Sequence, residues 1–261
     1  MRLYGNIDLQ IGYTSRTQQA RRISEDWVAH YAYCLRCESD EITPTSANTE
    51  ACDFVCPQCE HGYELKSKCG VFTTRVIDGA YAAMLRTIHA NRTPTFLLLE
   101  YSRNWSITGF TAIHHSLITE KSIVARKPLA QTAKRAGWIG CSIVMPTIAI
   151  DGKIPIVRNE RIEPPATVRA SFKKLENLSH LSHERRSWVA TILNLIRKLP
   201  EGSFKLADAY EFEGELKIIY PENNNIKPKI RQQLQLLRDA GILNFLGGGK
   251  YQLVDYRQHN D

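Results

Sequence analysis

The chain has 261 residues, of which 43% are hydrophobic, 9% aromatic and 23% charged, and its formal net charge is +7. This composition is close to the globular average, which excludes a disordered chain, a coiled coil and a collagen-like fibre, and the length suits two modest domains or one large one. No apolar run approaches the ~18–20 residues that span a bilayer, and the amino terminus lacks the apolar core of a signal peptide, so we expect a soluble, cytoplasmic protein.

The positive charge is concentrated in residues 121–175, which contain eleven Lys or Arg residues but only three Asp or Glu residues. Such a patch favours a polyanionic partner, with nucleic acid as the first choice and an anionic lipid surface as the second. A solvated, lysine-rich surface without a partner is the alternative.

The first element along the chain is an amphipathic helix in residues 17–33. Ile23, Trp27 and Tyr31 recur there at four-residue spacing among polar residues, which is typical of one buried helix face. The helix leads directly to a pair of cysteines, which the polar loop 38–50 follows.

Four of the seven cysteines form two Cys-x2-Cys pairs with 18 residues between the pairs: Cys34, Cys37, Cys56 and Cys59. Because each pair forms a tight turn that brings two sulfurs to one ion, this spacing predicts a tetrahedral four-thiolate zinc site. His61 in place of Cys59 is the main variant of this ligand set, and a redox Cys-x-x-Cys is the alternative. The three other cysteines lack such a partner and are interpreted as small structural residues: Cys52, Cys69 and Cys141.

Strands and a second helix follow. Residues 51–55 and 63–68 alternate in character as strands do, 95–101 is continuously apolar as a central strand covered on both faces should be, and 107–113 is another strand. Between them a helical pattern places five apolar residues on one face: Ile77, Tyr81, Met84, Leu85 and Ile88. This order of elements predicts a mixed α/β domain with one sheet.

A new domain begins near residue 184, because residues 177–184 have the composition of a linker. The sequence therefore predicts two domains, 1–183 and 184–261. The first helix of the second domain has five apolar residues on one face and ends at a proline and a glycine: Trp188, Ile192, Leu195, Ile196 and Leu199.

Two more helices and a hairpin complete this domain. The second helix is predicted over residues 206–220, and the third has Asn225 as its N-cap and a proline in its first turn. Residues 243–246 and 250–253 are predicted as two strands around a turn of three glycines. Three helices followed by a hairpin are the layout of a winged helix.

In that layout the third helix enters the major groove of DNA. Four polar residues of this helix each directly follow an apolar residue in the sequence, so they form a polar stripe beside the buried one. Their side chains can donate hydrogen bonds to phosphates and base edges: Lys227, Arg231, Gln235 and Arg238. The alternative is an ordinary charged outer face, or a winged helix that binds protein.

The constellation that suggests catalysis is Asp53 with Glu64-Leu65-Lys66. On a strand Glu64 and Lys66 project to the same face about 7 Å apart, and Asp53 on a neighbouring strand can meet them. Two carboxylates suit Mg²⁺, which polarises a scissile phosphate and acidifies a water, while Lys66 orients that water or stabilises the developing charge. Taken alone the pattern is weak, because strands with charged outer faces produce it often.

Together with further motifs, these residues closely resemble the Dpn I type of methyl-directed restriction endonuclease. The resemblance covers essentially residues 15–254. Besides the cysteine pairs and Asp53, it rests on six segments: 63–68, 78–82, 126–130, 135–141, 229–238 and 249–251.

The resemblance implies a nuclease of the PD-(D/E)xK fold that bears a zinc site and is fused to a winged helix. It implies a monomer that cuts both strands of DNA within GATC, with Mg²⁺, when the adenines carry N6-methyl groups. It assigns catalysis to Asp53, Glu64 and Lys66, and the structural zinc to the four paired cysteines. Cys52 stands where the family motif has its proline, which only shapes the entry to the strand.

Methylation can be read through apolar contacts. A methyl group moved from water into an apolar pocket contributes about 0.8 kcal/mol. Strong discrimination between methylated and unmethylated DNA therefore requires two methyl-binding sites or an energetic penalty on the unmethylated base. Trp138, beside Lys134 and Arg135, is the candidate reader in the first domain, and an ordinary core tryptophan is the alternative.

Two other functions compete with methyl-directed cleavage. A DNA-binding regulator with an inactive nuclease core would keep the winged helix, the zinc site and the basic patch. A non-specific or RNA-directed nuclease would keep the catalytic residues without the methyl requirement.

Overall fold

A computed structural model of the chain describes residues 1–46, 52–200 and 202–254. Within these ranges the amino-terminal part forms the following helices and strands: α1 (Arg16–Tyr31), β1 (Thr43–Pro44), β2 (Phe54–Val55), β3 (Gly62–Cys69), β4 (Arg75–Ala80), α2 (Tyr81–His89), β5 (Thr95–Tyr101), β6 (Ile107–Ile113), β7 (Ile123–Ala125), β8 (Gly140–Val144), β9 (Lys153–Arg158), β10 (Arg161–Ile162) and α3 (Pro165–Glu176). The predicted first helix and the strands at 63–68, 95–101 and 107–113 are confirmed. Of the strand predicted at 51–55, residue 51 lies outside the described residues, and the strand covers two of the others.

A mixed sheet of seven strands organises this part, in the order β1-β2-β3-β5-β6-β9-β10. β3 and β5 run parallel, and the other neighbouring pairs are antiparallel. β5 lies near the middle, and Phe96 and Leu97 on its two faces are at most 1% exposed. Its continuously apolar sequence therefore reflects burial on both faces. α1 packs against β3 and α3 against β9.

A second, antiparallel sheet in the order β4-β8-β7 corrects the prediction of a single sheet. The helix expected to include Ile77 begins at Tyr81, because residues 75–80 form a strand instead. In that strand Val76 and Asp78 are buried while Ile77 is 62% exposed, so the alternation has a period of two residues. This segment forms a strand instead of a helix because it pairs with β8, which lies about sixty residues further along the chain.

The carboxy-terminal part is helical with a small sheet: α4 (His183–Ile196), β11 (Ser203–Lys205), α5 (Leu206–Tyr210), α6 (Glu213–Ile219), α7 (Ile226–Asp239), β12 (Leu243–Gly247) and β13 (Lys250–Leu253). The sheet has the order β11-β13-β12, and α7 packs against α4 and β12. Three successive glycines at 247–249 all have positive φ, which glycine adopts without strain, so they form the predicted hairpin turn. The predicted order of helices followed by a hairpin is confirmed, although the described residues form four helices where three were predicted.

The helix predicted over residues 206–220 is wrong, because the chain forms two short helices there. α5 ends at Tyr210, and α6 starts anew with Leu216 N–H donating to Phe212 O. Both short helices pack against α7. The three-residue strand β11 was not predicted, since its pairing with β13 is what defines it.

α4 contacts both parts of the molecule. Arg186, which is 2% exposed, donates to Ile88 O at 3.2 Å and to Asn91 Oδ1 at 2.8 Å. Near the other end of the helix, Arg197 Nε donates to Asp151 Oδ2 at 2.8 Å. These contacts fix the carboxy-terminal part against the first one.

Candidate active site and metal centre

Asp53, Glu64 and Lys66 meet where β2 pairs with β3. Asp53 directly precedes β2, and its N–H donates to Tyr63 O at 2.8 Å as the antiparallel pairing begins. Its Oδ2 accepts a hydrogen bond from Leu65 N–H at 2.8 Å, which turns the carboxylate toward β3. Lys66 Nζ lies 2.7 Å from Glu64 Oε1, because residues two apart share a face of a strand. The structure thus brings the three predicted residues together.

Asp78 on β4 joins this group and was not singled out from the sequence. Its Oδ1 lies 2.6 Å from Lys66 Nζ, and its side chain is 5% exposed. Its other oxygen, Oδ2, lies 3.8 Å from Cys141 Sγ, which donates to it. The sequence offers no period-two signal for this strand, because residues 75–78 have two adjacent apolar side chains between two charged ones.

The charges in this group influence one another. Burial raises the pKa of Glu64, with Lys66 acting against this shift and Asp53 adding to it. Burial also opposes protonation of Lys66, but the carboxylates of Asp78 and Glu64 outweigh it and raise the pKa of the amine. Lys66 is therefore an ammonium ion at neutral pH, and a cation placed beside Glu64 would favour the carboxylate form.

A cleft of about 400 Å³ opens beside Asp53, between α1 and the hairpin of β1 and β2. α1 contributes Arg21 and Arg22 to its wall, and Arg21 Nε also pairs with Glu25 Oε1 at 2.6 Å. Guanidinium groups at this position suit a phosphate approaching the carboxylates. The sequence did not indicate them, because they resemble the ordinary polar face of an amphipathic helix.

The two cysteine pairs form one cluster. The sulfurs of Cys34, Cys37, Cys56 and Cys59 all lie within 4.8 Å of one another. Sγ of Cys34 is 3.6 Å from that of Cys59, and Sγ of Cys37 is 3.6 Å from that of Cys56. A tetrahedral zinc with bonds of about 2.3 Å places its sulfurs about 3.8 Å apart. The cluster can therefore hold a metal such as zinc.

The thiols of the cluster do not ionise alike, because burial raises the pKa of Cys34 and of Cys59 whereas the pKa of Cys56 is lowered. Burial opposes ionisation of Cys56, but the backbone N–H groups of Cys59 and Gln58 lower its pKa to about 6. Tyr63 Oη lies 3.2 Å from Cys34 Sγ and accepts from Leu35 N–H at 2.9 Å. Tyr63 thus connects the cluster to the strand that carries Glu64.

The other thiol and imidazole predictions have mixed outcomes. His61 does not replace Cys59 in the cluster, since its Nε2 lies 2.8 Å from Thr95 Oγ1. Cys141 is buried, as expected of a small structural residue, but Cys69 is exposed because it ends β3.

His114, His115 and Glu176 form a second close group. The two imidazole rings are stacked at 23° with centroids 4.4 Å apart, whereas a metal-bound imidazole holds the ion near its ring plane. Two rings stacked face to face in this way cannot both direct an in-plane nitrogen lone pair at one ion. Ser116 Oγ lies 2.8 Å from His114 Nδ1, and Ser179 Oγ lies 3.0 Å from His115 Nε2, so the group is a buried hydrogen-bond network.

We expect His114 and His115 to destabilise the protein in acid. Burial lowers the pKa of both well below the usual value, whereas an unfolded histidine takes up a proton near pH 6.5. Below that pH the unfolded chain binds more protons than the folded one. The free energy of unfolding, which is fully retained above pH 6.5, therefore decreases by up to about 1.4 kcal/mol per pH unit for each histidine. Urea unfolding between about pH 7.5 and 5.5 measures the slope of the free energy of unfolding against pH.

Two variants test the origin of that slope. His114→Asn keeps an acceptor for Ser116 N–H but cannot take up the proton, so the slope should become shallower. His30→Asn removes an exposed histidine and should leave the slope unchanged. An equal slope in His114→Asn and the unmodified protein would contradict the assignment.

The segment that carries Trp138 lies beside the acidic group. It leads into β8, where Cys141 is paired with Asp78. Trp138 is half-buried, with the Arg135 guanidinium 4.8 Å from its ring centroid, and Lys134 is exposed. Trp138 is therefore not a fully buried core residue, and this segment presents an aromatic ring and two cations.

α7 presents the predicted polar stripe. Arg231 and Gln235 are exposed, while Ile230 and Leu234 beside them are buried. Lys227 is 3.3 Å from Glu213 and Arg238 is 2.8 Å from Asp239, so these two cations have acidic neighbours. Arg231 and Gln235 are thus the more accessible members of the stripe.

Comparison with protein families matches both parts of the chain. The model described as "DpnI: Dam-replacing family" matches residues 1–181, and that described as "DpnI_C: Dam-replacing HTH domain" matches residues 184–253. Among the described residues, no helix is both long and apolar enough to cross a membrane.

Proposed function

Because the chain belongs to the DpnI, Dam-replacing family, we propose that it is a methylation-dependent type II restriction endonuclease acting as a monomer. With Mg²⁺ it cuts both strands of GATC sites whose adenines carry N6-methyl groups. The family implies methylation-dependent restriction by a chain with a DNA-binding helix-turn-helix domain. The observation that carries the proposal is the meeting of Asp53, Glu64 and Lys66 on adjacent strands of a mixed sheet. That arrangement supports a PD-(D/E)xK fold.

The two carboxylates fit a hard divalent cation. Asp53 uses Oδ2 for Leu65 N–H and Glu64 uses Oε1 for Lys66, so the second oxygen of each is the one that Mg²⁺ would take. When bound, the ion polarises the scissile phosphate and acidifies an attacking water. Lys66 lies close enough to orient that water or to stabilise the charge that develops on the phosphate.

The cysteine cluster fits structural zinc. Four thiol sulfurs leave no coordination position for a substrate, which is typical of a structural site. In the proposed enzyme Cys34, Cys37, Cys56 and Cys59 hold this ion and fix the loop between α1 and β1 to the loop between β2 and β3.

We assign DNA recognition to both domains, with the division between residues 183 and 184. In the nuclease domain Lys134 and Arg135 contact phosphates and Trp138 contacts a methyl group. In the winged helix the stripe on α7 contacts phosphates and base edges: Lys227, Arg231, Gln235 and Arg238. One buried methyl group contributes about 0.8 kcal/mol, or roughly fourfold in affinity, so two readers multiply the discrimination.

Digestion of one plasmid, prepared with and without adenine methylation, tests the proposal. We expect the methylated plasmid alone to be cut, and only with Mg²⁺. Cutting of both plasmids, or of RNA, would indicate a nuclease without methyl specificity. Binding of methylated DNA without any cutting would indicate a regulator with an inactive core.

Arg231→Ala separates the two kinds of DNA contact that α7 can make. If Arg231 contacts a phosphate, the variant should weaken binding to all sequences alike and reduce the slope of log K against log salt by about 1. If it contacts a base, the loss should be roughly 1–3 kcal/mol at methylated GATC only. Titrations of the full chain at several salt concentrations measure both quantities.

The control for this experiment is Arg103→Ala, which removes a cation from the turn between β5 and β6. That variant should leave the affinity and the salt slope as they are. If Arg231→Ala also leaves both unchanged, α7 does not contact DNA through Arg231.

A further inference from the structure

We infer that Asp78 is a positioning residue of the cleavage reaction, which holds the Lys66 ammonium in place while Glu64 is engaged by the cation. This inference rests on the proposed function and adds a residue to its site. It starts from the position of Lys66, whose Nζ lies between two carboxylate oxygens, 2.7 Å from Glu64 Oε1 and 2.6 Å from Asp78 Oδ1.

The two carboxylates differ in what else they do. Glu64 lies on the same strand as Lys66 and next to Asp53, so it is shared between the lysine and the proposed cation. Asp78 comes from β4, which belongs to the other sheet. Its contact with Lys66 is therefore a link between the two sheets that does not depend on Glu64.

Asp78 is held firmly in its position. The pairing of β4 with β8 places it opposite Cys141, whose Sγ donates to Oδ2 and leaves Oδ1 to the ammonium. The register of this pairing shifts between Asp78 and Ala80, at Gly79, so the strand bends directly after the carboxylate. The side chain of Asp78 is 5% exposed, against 13% for Glu64.

A half-buried ammonium needs such a second partner. Lys66 has a flexible four-carbon stem and a side chain that is 20% exposed. A Glu64 carboxylate that also ligates a cation would hold the ammonium less strongly, and an ammonium with no other anionic partner would then lose its fixed geometry or move toward solvent. Asp78 keeps it at the site where the phosphate reacts.

The test is Asp78→Asn in the full chain, compared with the unmodified protein on methylated GATC duplex. Misplacement of a catalytic group by about 1 Å costs on the order of 100-fold in rate, so we expect the single-turnover rate at saturating Mg²⁺ to fall about 10- to 100-fold. The duplex Kd, measured with Ca²⁺ in place of Mg²⁺, should stay within about twofold, and the Mg²⁺ concentration for half-maximal rate within about fivefold. Asp78→Glu, which retains the charge, should recover part of the rate.

Asp151→Asn is the matched control, because it removes another largely buried carboxylate that pairs with a cation, Arg197. It should alter stability without lowering the saturating rate. An Asp78→Asn protein as fast as the unmodified one overturns the inference. So does a rate that high Mg²⁺ restores, because Asp78 would then be a metal ligand. If the unmodified protein itself cuts no methylated duplex, the proposed function fails and the inference falls with it.

Discussion

Asp53→Ala and Glu64→Ala should each abolish cleavage of methylated duplex while leaving its binding within about tenfold. Each substitution removes a proposed ligand of the cation and no assigned DNA contact. Electrostatic stabilisation by such an ion contributes several kcal/mol to the transition state, which corresponds to a rate loss on the order of 10³-fold or more. Lys66→Ala should behave similarly, because its ammonium is within 2.7 Å of Glu64.

Rates and affinities must be measured separately for this prediction. Single-turnover cleavage with Mg²⁺ gives the rate, and duplex binding with Ca²⁺ in place of Mg²⁺ gives the affinity. Asp53→Asn and Glu64→Gln repeat the test with side chains of nearly the same shape, so a loss of rate in them cannot come from a cavity. Glu120→Ala, which removes an exposed carboxylate beside His89, is the control and should cut normally. Full residual cutting by either alanine variant would remove the residue from the site.

The sequence predicted which side chains lie close together where its signal is local. The spacing of the cysteine pairs is enough to bring four sulfurs together, since each turn is determined by a few residues. Glu64 and Lys66 share a face because the period of a strand is two residues. The apolar run of β5 predicted its central position, since only a strand covered on both faces buries Phe96 and Leu97 equally.

The sequence-based predictions are wrong where contacts with residues far away in the sequence determine the structure. Ile77 has the right spacing to extend α2, yet pairing with β8 makes this segment a strand and leaves Ile77 exposed. The same error hid Asp78, because on a helix it would not have faced Lys66. The break between α5 and α6 and the short strand β11 likewise depend on contacts made elsewhere in the carboxy-terminal part.

The groups around the proposed active site come from several elements of the fold. The residues predicted from local patterns come from β2 and β3, whereas the contributions found only in the structure come from other elements. Asp78 belongs to β4, and Arg21 and Arg22 belong to α1. The predicted acids and lysine are thus surrounded by groups that long-range packing brings there, and in the proposed enzyme these groups would position the phosphate and the lysine.

Loss of the metal from the cysteine cluster should have the largest effect on folding. Zinc held by four thiolates stabilises a fold by on the order of 10–16 kcal/mol, which matches or exceeds the roughly 5–15 kcal/mol net stability of a typical domain. Cys34 and Cys56 are completely buried, and Cys34 Sγ contacts Tyr63, the residue before Glu64. We therefore expect Cys34→Ser and Cys56→Ser proteins to be insoluble or unfolded.

Cys69→Ser provides the matched comparison, because Cys69 is exposed and lies outside the cluster. That variant should fold, cut and retain one zinc per chain by elemental analysis, as the unmodified protein should. A strong chelator that slowly removes the zinc should abolish cleavage together with the folded circular dichroism signal, because the strand that carries Glu64 and Lys66 is tied to the cluster through Tyr63. A protein without zinc, or a Cys56→Ser protein that is folded and fully active, would show that the cluster does not support the active site through a metal.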